Sequence, residues 1–137
     1  MAEKHLLPVS KIIDIYEAIK SIDSNKNLDT KVAYRVARLS DKCKGIIESY
    51  EKTRDKIRDK YIEESKSLNP NDSGLSEDQK KDLQLKINEI NGRFNKEIAE
   101  LVSENEEIEI FGFVLSDFEG KDIPIKFFIA MGDLIKE

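Results

Sequence analysis

The sequence predicts a mainly α fold: a long antiparallel helical hairpin, coiled-coil-like, on a small α+β base with a short β ribbon and a C-terminal helix. Two apolar stripes at helical spacing, separated by one cluster of helix breakers, carry the hairpin. The composition agrees, because 6 Gly and 3 Pro in 137 residues are too few for a turn-rich sandwich, and 37% charged residues suit solvated helix faces. A change to β-branched and aromatic residues after residue 106 carries the ribbon. At this length the chain reads as one domain. Residues 1–29 and 106–137 form the base, and 30–105 form the hairpin with its loop at 67–75.

Residues 9–22 read as a first helix, with Ser10 as N-cap and Ile12, Ile15, Tyr16, Ile19 and Ile22 at helical spacing. A polar break at Asp23–Asn27 follows. Over residues 30–66 the apolar positions Val32, Val36, Leu39, Cys43, Ile46, Tyr50, Thr53 and Ile57 alternate steps of four and three. That is a heptad seam, which places Ile46 inside the hairpin and requires a partner helix. Leu68–Gly74 supplies the breaker, since helices end at or before the residue preceding a proline such as Pro70. Ser76 and Gln79 then form a capping-box signature. Leu83, Ile87, Ile90, Phe94, Ile98 and Leu101 make the second stripe, to about residue 105.

Ile108–Leu115 reads as a strand, and its natural partner is the extended segment Glu3–Leu7. Asp122 and Pro124 resemble a helix start, and Ile125, Phe128, Ile129, Met131, Leu134 and Ile135 make a final amphipathic helix. The net charge of −5 is unevenly spread. Residues 30–66 hold 11 basic against 7 acidic side chains, whereas 76–107 hold 5 basic against 9 acidic. The two arms, near +4 and −4, favour pairing.

Several functions are excluded or disfavoured. No apolar run approaches the roughly 20 residues that span a bilayer, so no membrane partner is expected. The first eight residues lack the apolar core of a secretory signal, so a reducing cytoplasm is the expected compartment. One cysteine and one histidine supply neither a disulfide nor a conventional zinc site, and the scattered glycines form no phosphate loop. No metal and no cofactor is expected. His5 and Cys43 have no reason to meet, and Cys43 on the seam reads as a small core hydrophobe, so no enzyme is expected.

The remaining candidates are surfaces for a protein partner or for a second copy of the chain. Lys31, Arg35, Arg38 and Lys42 fall at i, i+4, i+7 and i+11, a single basic row one position off the seam. Such a row can grip phosphates or an acidic protein; the bland alternative is a flank paired with carboxylates, and overall acidity disfavours nucleic acid. Glu104, Glu106, Glu107 and Glu109 cluster at the strand entrance and read as a solvated acidic face, with a divalent-ion site as the alternative, and the acidic arm Glu97–Glu109 can face a partner's nucleic-acid channel as a decoy. Five of six phenylalanines (Phe111, Phe113, Phe118, Phe127 and Phe128) lie in the tail. They either close the base or, through Phe127, Phe128 and Met131, leave an exposed apolar patch.

The order of several segments resembles a family of small proteins of tailed bacteriophages and prophages of Firmicutes. The segments run from Leu28 to Leu39, from Tyr50 to Ile57 with Lys60-Tyr61, from Phe94 to Leu101, Glu107-Ile108-Glu109-Ile110, and Leu115 to Glu119. The sequence departs from that pattern at Asp122–Phe128, where the family has a more polar helix start. The resemblance implies a phage or mobile-element origin and carries no catalytic residue. The expected function is a non-enzymatic, phage-encoded binding module in the bacterial cytoplasm, an accessory or inhibitor that occludes a host or phage protein. A self-associating virion assembly protein is the alternative, and a nucleic-acid-associated protein using the basic row is the second.

Overall fold

The first strand, β1 (Ala2–Pro8), runs directly into the first helix, α1 (Val9–Lys20). Pro8 occupies the cap in extended conformation, with φ −67° and ψ 150° and no side-chain cap. Ser10 is therefore inside the helix rather than at its cap. The reason lies across the ribbon: the Val9 N–H, which no helical carbonyl can satisfy, donates to the Glu104 carbonyl at 2.9 Å. The computed structural model describes residues 2–22 and 28–137; the polar break at 23–27 lies outside the described residues.

The described chain is mainly α. After α1 come the long helices α2 (Thr30–Ser65) and α3 (Glu77–Val102), strands β2 (Asn105–Phe111) and β3 (Phe113–Val114), helix α4 (Ile125–Met131) and strand β4 (Ile135–Lys136). Two compact units result. One comprises Met1–Ser49 with Ser103–Glu137, the other Tyr50–Val102, and α2 contributes to both.

In the first unit β1 and β2 pair antiparallel from Ala2↔Phe111 to Pro8↔Asn105, the partner expected from sequence. The period of two turns Ile108 and Ile110 to the core and leaves Glu107 and Glu109 outward. The expected strand 108–115 is cut at Gly112. Beyond it β3 leaves β1 and pairs parallel with β4, Phe113 opposite Ile135. Leu115 starts a 3-10 turn, Leu115–Phe118, that Asp117 holds by accepting the Val114 N–H at 2.9 Å.

The final helix is shorter than its apolar spacing predicts. It stops at Met131 because Gly132 takes φ +50°, a conformation that side chains disfavour. A 3-10 turn, Gly132–Leu134, then delivers Ile135 to β3, so Leu134 and Ile135 are not on α4. Pro124 serves as the cap of α4, not its first residue.

Sixteen buried residues make one core here, among them Ile12 and Ile15 of α1, Val36, Leu39 and Cys43 of α2, Ile108 and Ile110 of β2, and Phe127 and Met131 of α4. Phe118 is the aromatic hub, 5.2 Å from Phe127, 5.8 Å from Phe128 and 5.9 Å from Phe113 between ring centroids.

The inward positions of α2 are Val32, Val36, Leu39, Cys43, Ile47, Tyr50, Arg54, Ile57 and Tyr61, each buried or half-buried. Eight steps over 29 residues give about 3.6 residues per step, the α-helical period rather than the 3.5 of a supercoiled heptad. The heptad reading therefore slips by one residue at its fifth position. Ile47 is buried, Ile46 is half-buried against the same core, and Thr53 is exposed. Ile46 packs in the first unit, not inside a hairpin seam.

The second unit is the antiparallel pairing of the C-terminal half of α2 with α3. Lys60 pairs with Glu97 at 3.4 Å, the Tyr61 ring meets Phe94 edge-on at 5.8 Å, and Glu64 pairs with Arg93, so rising numbers in α2 meet falling numbers in α3. The loop is built as its sequence predicts. The Asn69 and Asp72 side chains accept the N–H groups of Asn71 and Gly74 at 3.1 and 3.0 Å. The capping box forms in both directions: Ser76 Oγ accepts the Gln79 N–H at 3.2 Å, and Gln79 Oε1 accepts the Ser76 N–H at 2.8 Å. Only Tyr61 and Ile90 are fully buried in this unit. Helix α3 ends at Val102, short of the expected 105, because Glu104 and Asn105 are drawn to Val9 and Pro8.

Candidate interaction surfaces

The basic row is present, and β2 decides what half of it does. Arg35 and Lys42 flank the Phe111 ring, each 5.7 Å from its centroid, and Lys42 Nζ donates to the Glu109 carbonyl at 2.8 Å. A cation on a strand-edge carbonyl also shields that edge from pairing with another strand. Lys31 and Arg38 are exposed, and Arg38 lies 6.0 Å from the centroid of Tyr34, itself exposed. None of the four forms an ion pair with a carboxylate among the described residues. Two members of the row, Arg35 and Lys42, thus rest on a phenyl ring, and Lys42 also on a backbone carbonyl. The signal in the sequence was Phe111, one residue before Gly112, read there only as core.

The carboxylates Glu104, Glu106, Glu107 and Glu109 are all exposed. Strand alternation separates them: Glu107 and Glu109 share the outward face with Phe111, while Glu106 has the parity of Ile108. Lys4 reaches Glu107 at 3.5 Å across the ribbon. Among the described residues no group of His, Cys, Asp and Glu is placed to hold a metal ion. His5 lies near Glu3 at 3.9 Å on the same strand. Cys43 is fully buried, and that burial pushes its thiol pKa up to about 12, which keeps it protonated and unreactive.

The apolar patch expected from Phe127, Phe128 and Met131 is not built from those residues. Phe127 and Met131 are 0% and 1% exposed, and Phe128 is half-buried. With 100° per residue, turning 127, 130 and 131 inward leaves 125 and 129 outward. Ile125 and Ile129 are accordingly 75% and 72% exposed. On one side of them an open groove of about 380 Å³ is lined by Leu115, Ser116, Phe118, Glu119 and Phe128. On the other, α1 and α4 bound a groove of about 450 Å³ that includes Lys11, Asp14, Glu17 and Lys126. Among the described residues, four of the eight exposed large apolar side chains, Val114, Leu115, Ile125 and Ile129, fall in this one stretch.

No protein-family model matches the chain, and neither a curated protein nor a solved structure matches it. No described helix is long and apolar enough to cross a membrane.

Proposed function

We propose that the chain is a non-enzymatic protein-binding module, a phage-encoded accessory or inhibitor that works in the bacterial cytoplasm by occluding a host or phage protein. The observation that supports this reading is the outward face of α4. Ile125 and Ile129 stand on one side of a short helix, Ile129 lines the groove between α1 and α4, and Phe128 of the same helix lines a second groove with Phe118. Isolated exposed apolar residues need no explanation, but several gathered beside an aromatic groove and rimmed by charge mark a contact surface. The groove is shallow and wide, a shape for an apolar side chain of a partner rather than for enclosing a substrate. Glu119 at the margin of this groove and Lys126 in the groove between α1 and α4 would set orientation more than affinity.

The test is affinity capture from host lysate with the intact protein and with the double variant Ile125→Glu/Ile129→Glu. Both residues are exposed, so the variant keeps its circular dichroism. A partner retained by the native chain and lost by the variant is the expected result. Equal capture by both proteins would reject this face, and capture of nothing by either would reject the module.

A further inference from the structure

We propose that the open edge of β1 docks an extended segment of another protein, adding a third strand that sets a carboxylate opposite Lys4 and an apolar side chain opposite Leu6. This goes beyond the α4 face above and uses a different surface. In an antiparallel ribbon only every second residue turns its N–H and C=O to the facing strand. The bond from the Val9 N–H to the Glu104 carbonyl marks which ones they are. Leu7, His5 and Glu3 share the parity of Val9 and face β2, while Lys4 and Leu6 turn their backbone groups away from it. The other strand agrees, because Glu109, opposite Lys4, has its carbonyl free to accept Lys42 Nζ.

The two edges of the ribbon are therefore unlike. On the β2 side Lys42 occupies the outward carbonyl of Glu109. On the β1 side the N–H and C=O groups of Lys4 and Leu6 meet no partner among the described residues. These are two donors and two acceptors in alternation, and another extended backbone is the chemistry that matches them. Pro8, which has no N–H, ends the edge. Natural proteins blunt such edges with charge. Lys4 does not act in that way, because its ammonium reaches across the ribbon to Glu107 at 3.5 Å. Leu6 is 67% exposed, so a strand laid beside it covers an apolar side chain now in water.

The side chains state what the added strand carries. Directly opposite residues of neighbouring strands share a face, so the residue facing Lys4 lies beside an ammonium and the residue facing Leu6 beside an apolar group. The Lys4–Glu107 pair is exposed and weak, which leaves Lys4 able to take a second carboxylate. A second copy of this chain is the poorer occupant. Antiparallel pairing about Lys4 sets two ammonium groups face to face, and pairing about His5 sets each Lys4 against Leu6. Neither register supplies a carboxylate.

The probe is the peptide acetyl-Thr-Val-Thr-Glu-Thr-Val-Thr-amide, titrated to about 1 mM into the intact, isotope-labelled protein and followed by amide exchange. Laid antiparallel, its first Val faces Leu6 and its Glu faces Lys4. Exchange at the Lys4 and Leu6 amides should slow at least about fivefold, while His5 and Leu7, already bonded to β2, stay as they were. N-methylation of the peptide Glu, whose N–H donates to the Lys4 carbonyl, should weaken binding at least about tenfold. N-methylation of the next Thr, whose N–H points away, should weaken it less than about twofold. Lys4→Glu should lose this peptide and take one with Lys in place of Glu. Leu6→Pro removes an outward N–H yet keeps every bond to β2, so it should abolish docking with circular dichroism unchanged. Unchanged exchange at Lys4 and Leu6 would overturn the proposal, as would equal effects of the two N-methylations. A dimer in sedimentation whose Lys4 and Leu6 amides are protected without peptide would assign the edge to a second copy instead.

Discussion

The two compact units differ most in how they are held. The unit of residues 2–49 and 103–137 gathers sixteen buried residues from α1, α2, the ribbon and α4, while the unit of 50–102 buries Tyr61 and Ile90 alone. Of its other apolar positions on α2 and α3, Ile57, Leu83, Ile87, Phe94, Ile98 and Leu101 are half-buried, and Ile62 and Leu85 are exposed. Two helices enclose a seam, whereas three or more layers enclose a volume. The first unit can therefore remove side chains from water on all sides, and the second only on one. Stability drawn from apolar burial should follow that inequality, and local opening should concentrate in the second unit.

The sharpest way to break this comparison is to empty one buried site in each. Phe127, fully buried at the aromatic hub, should cost about 3–5 kcal/mol on Phe127→Ala, read from denaturant unfolding. Ile90→Ala should act locally: amide exchange in α3 and the facing part of α2 should accelerate, with β1, β2 and α1 unchanged. If Phe127→Ala cost under about 1 kcal/mol, or if Ile90→Ala accelerated exchange in the ribbon equally, the two units would be one cooperative body and the contrast would fail.

A second measurement sharpens the contrast within a single helix. Ile47 is 8% exposed and Ile46 is half-buried, although they are neighbours and chemically identical. Ile47→Ala should cost about 2–5 kcal/mol, and Ile46→Ala distinctly less. The reverse order in a thermal or denaturant melt would restore the strict heptad phase. That pair also shows where sequence reading loses precision. Heptad and α-helical periods differ by only about 0.1 residue per step, so over the eight steps from Val32 to Tyr61 the buried position drifts by about one residue.

Much of the fold was legible because local chemistry determines it. The Ser76–Gln79 box, the Asn69 and Asp72 turns and the β1–β2 pairing each depend on residues close in sequence or on one strand needing another. What was missed depends on distant partners. Val9 is capped by the Glu104 carbonyl, and nothing near Ser10 signals it. Ile135 continues an apolar stripe in the sequence, yet Gly132 turns it onto Phe113 as a strand. The interaction surfaces divide likewise. The basic row was legible from its spacing, while the engagement of Arg35 and Lys42 by Phe111 needed the register of β2 against α2. The exposed pair Ile125 and Ile129 was hidden by which face of α4 is buried, the face of Phe127, Ala130 and Met131.

The smallest expected effect concerns what the thin unit does use. Since its seam is shallow, cross-helix ion pairs are the obvious substitute, and Lys60–Glu97 at 3.4 Å is one. Its side chains are 61% and 37% exposed, however, so water and salt screen the attraction, and two long side chains lose rotamer freedom to make it. A double-mutant cycle with Lys60→Ala and Glu97→Ala should therefore give a coupling of under about 1 kcal/mol that shrinks as salt is added. A coupling above about 2 kcal/mol, or one that salt leaves unchanged, would mean that charge rather than the Tyr61–Phe94 contact holds the pair of helices. The expected result leaves that ring pair and Ile90 as the anchor of the second unit. Its weakness relative to the sixteen-residue core then follows from apolar geometry and not from any shortage of ion pairs.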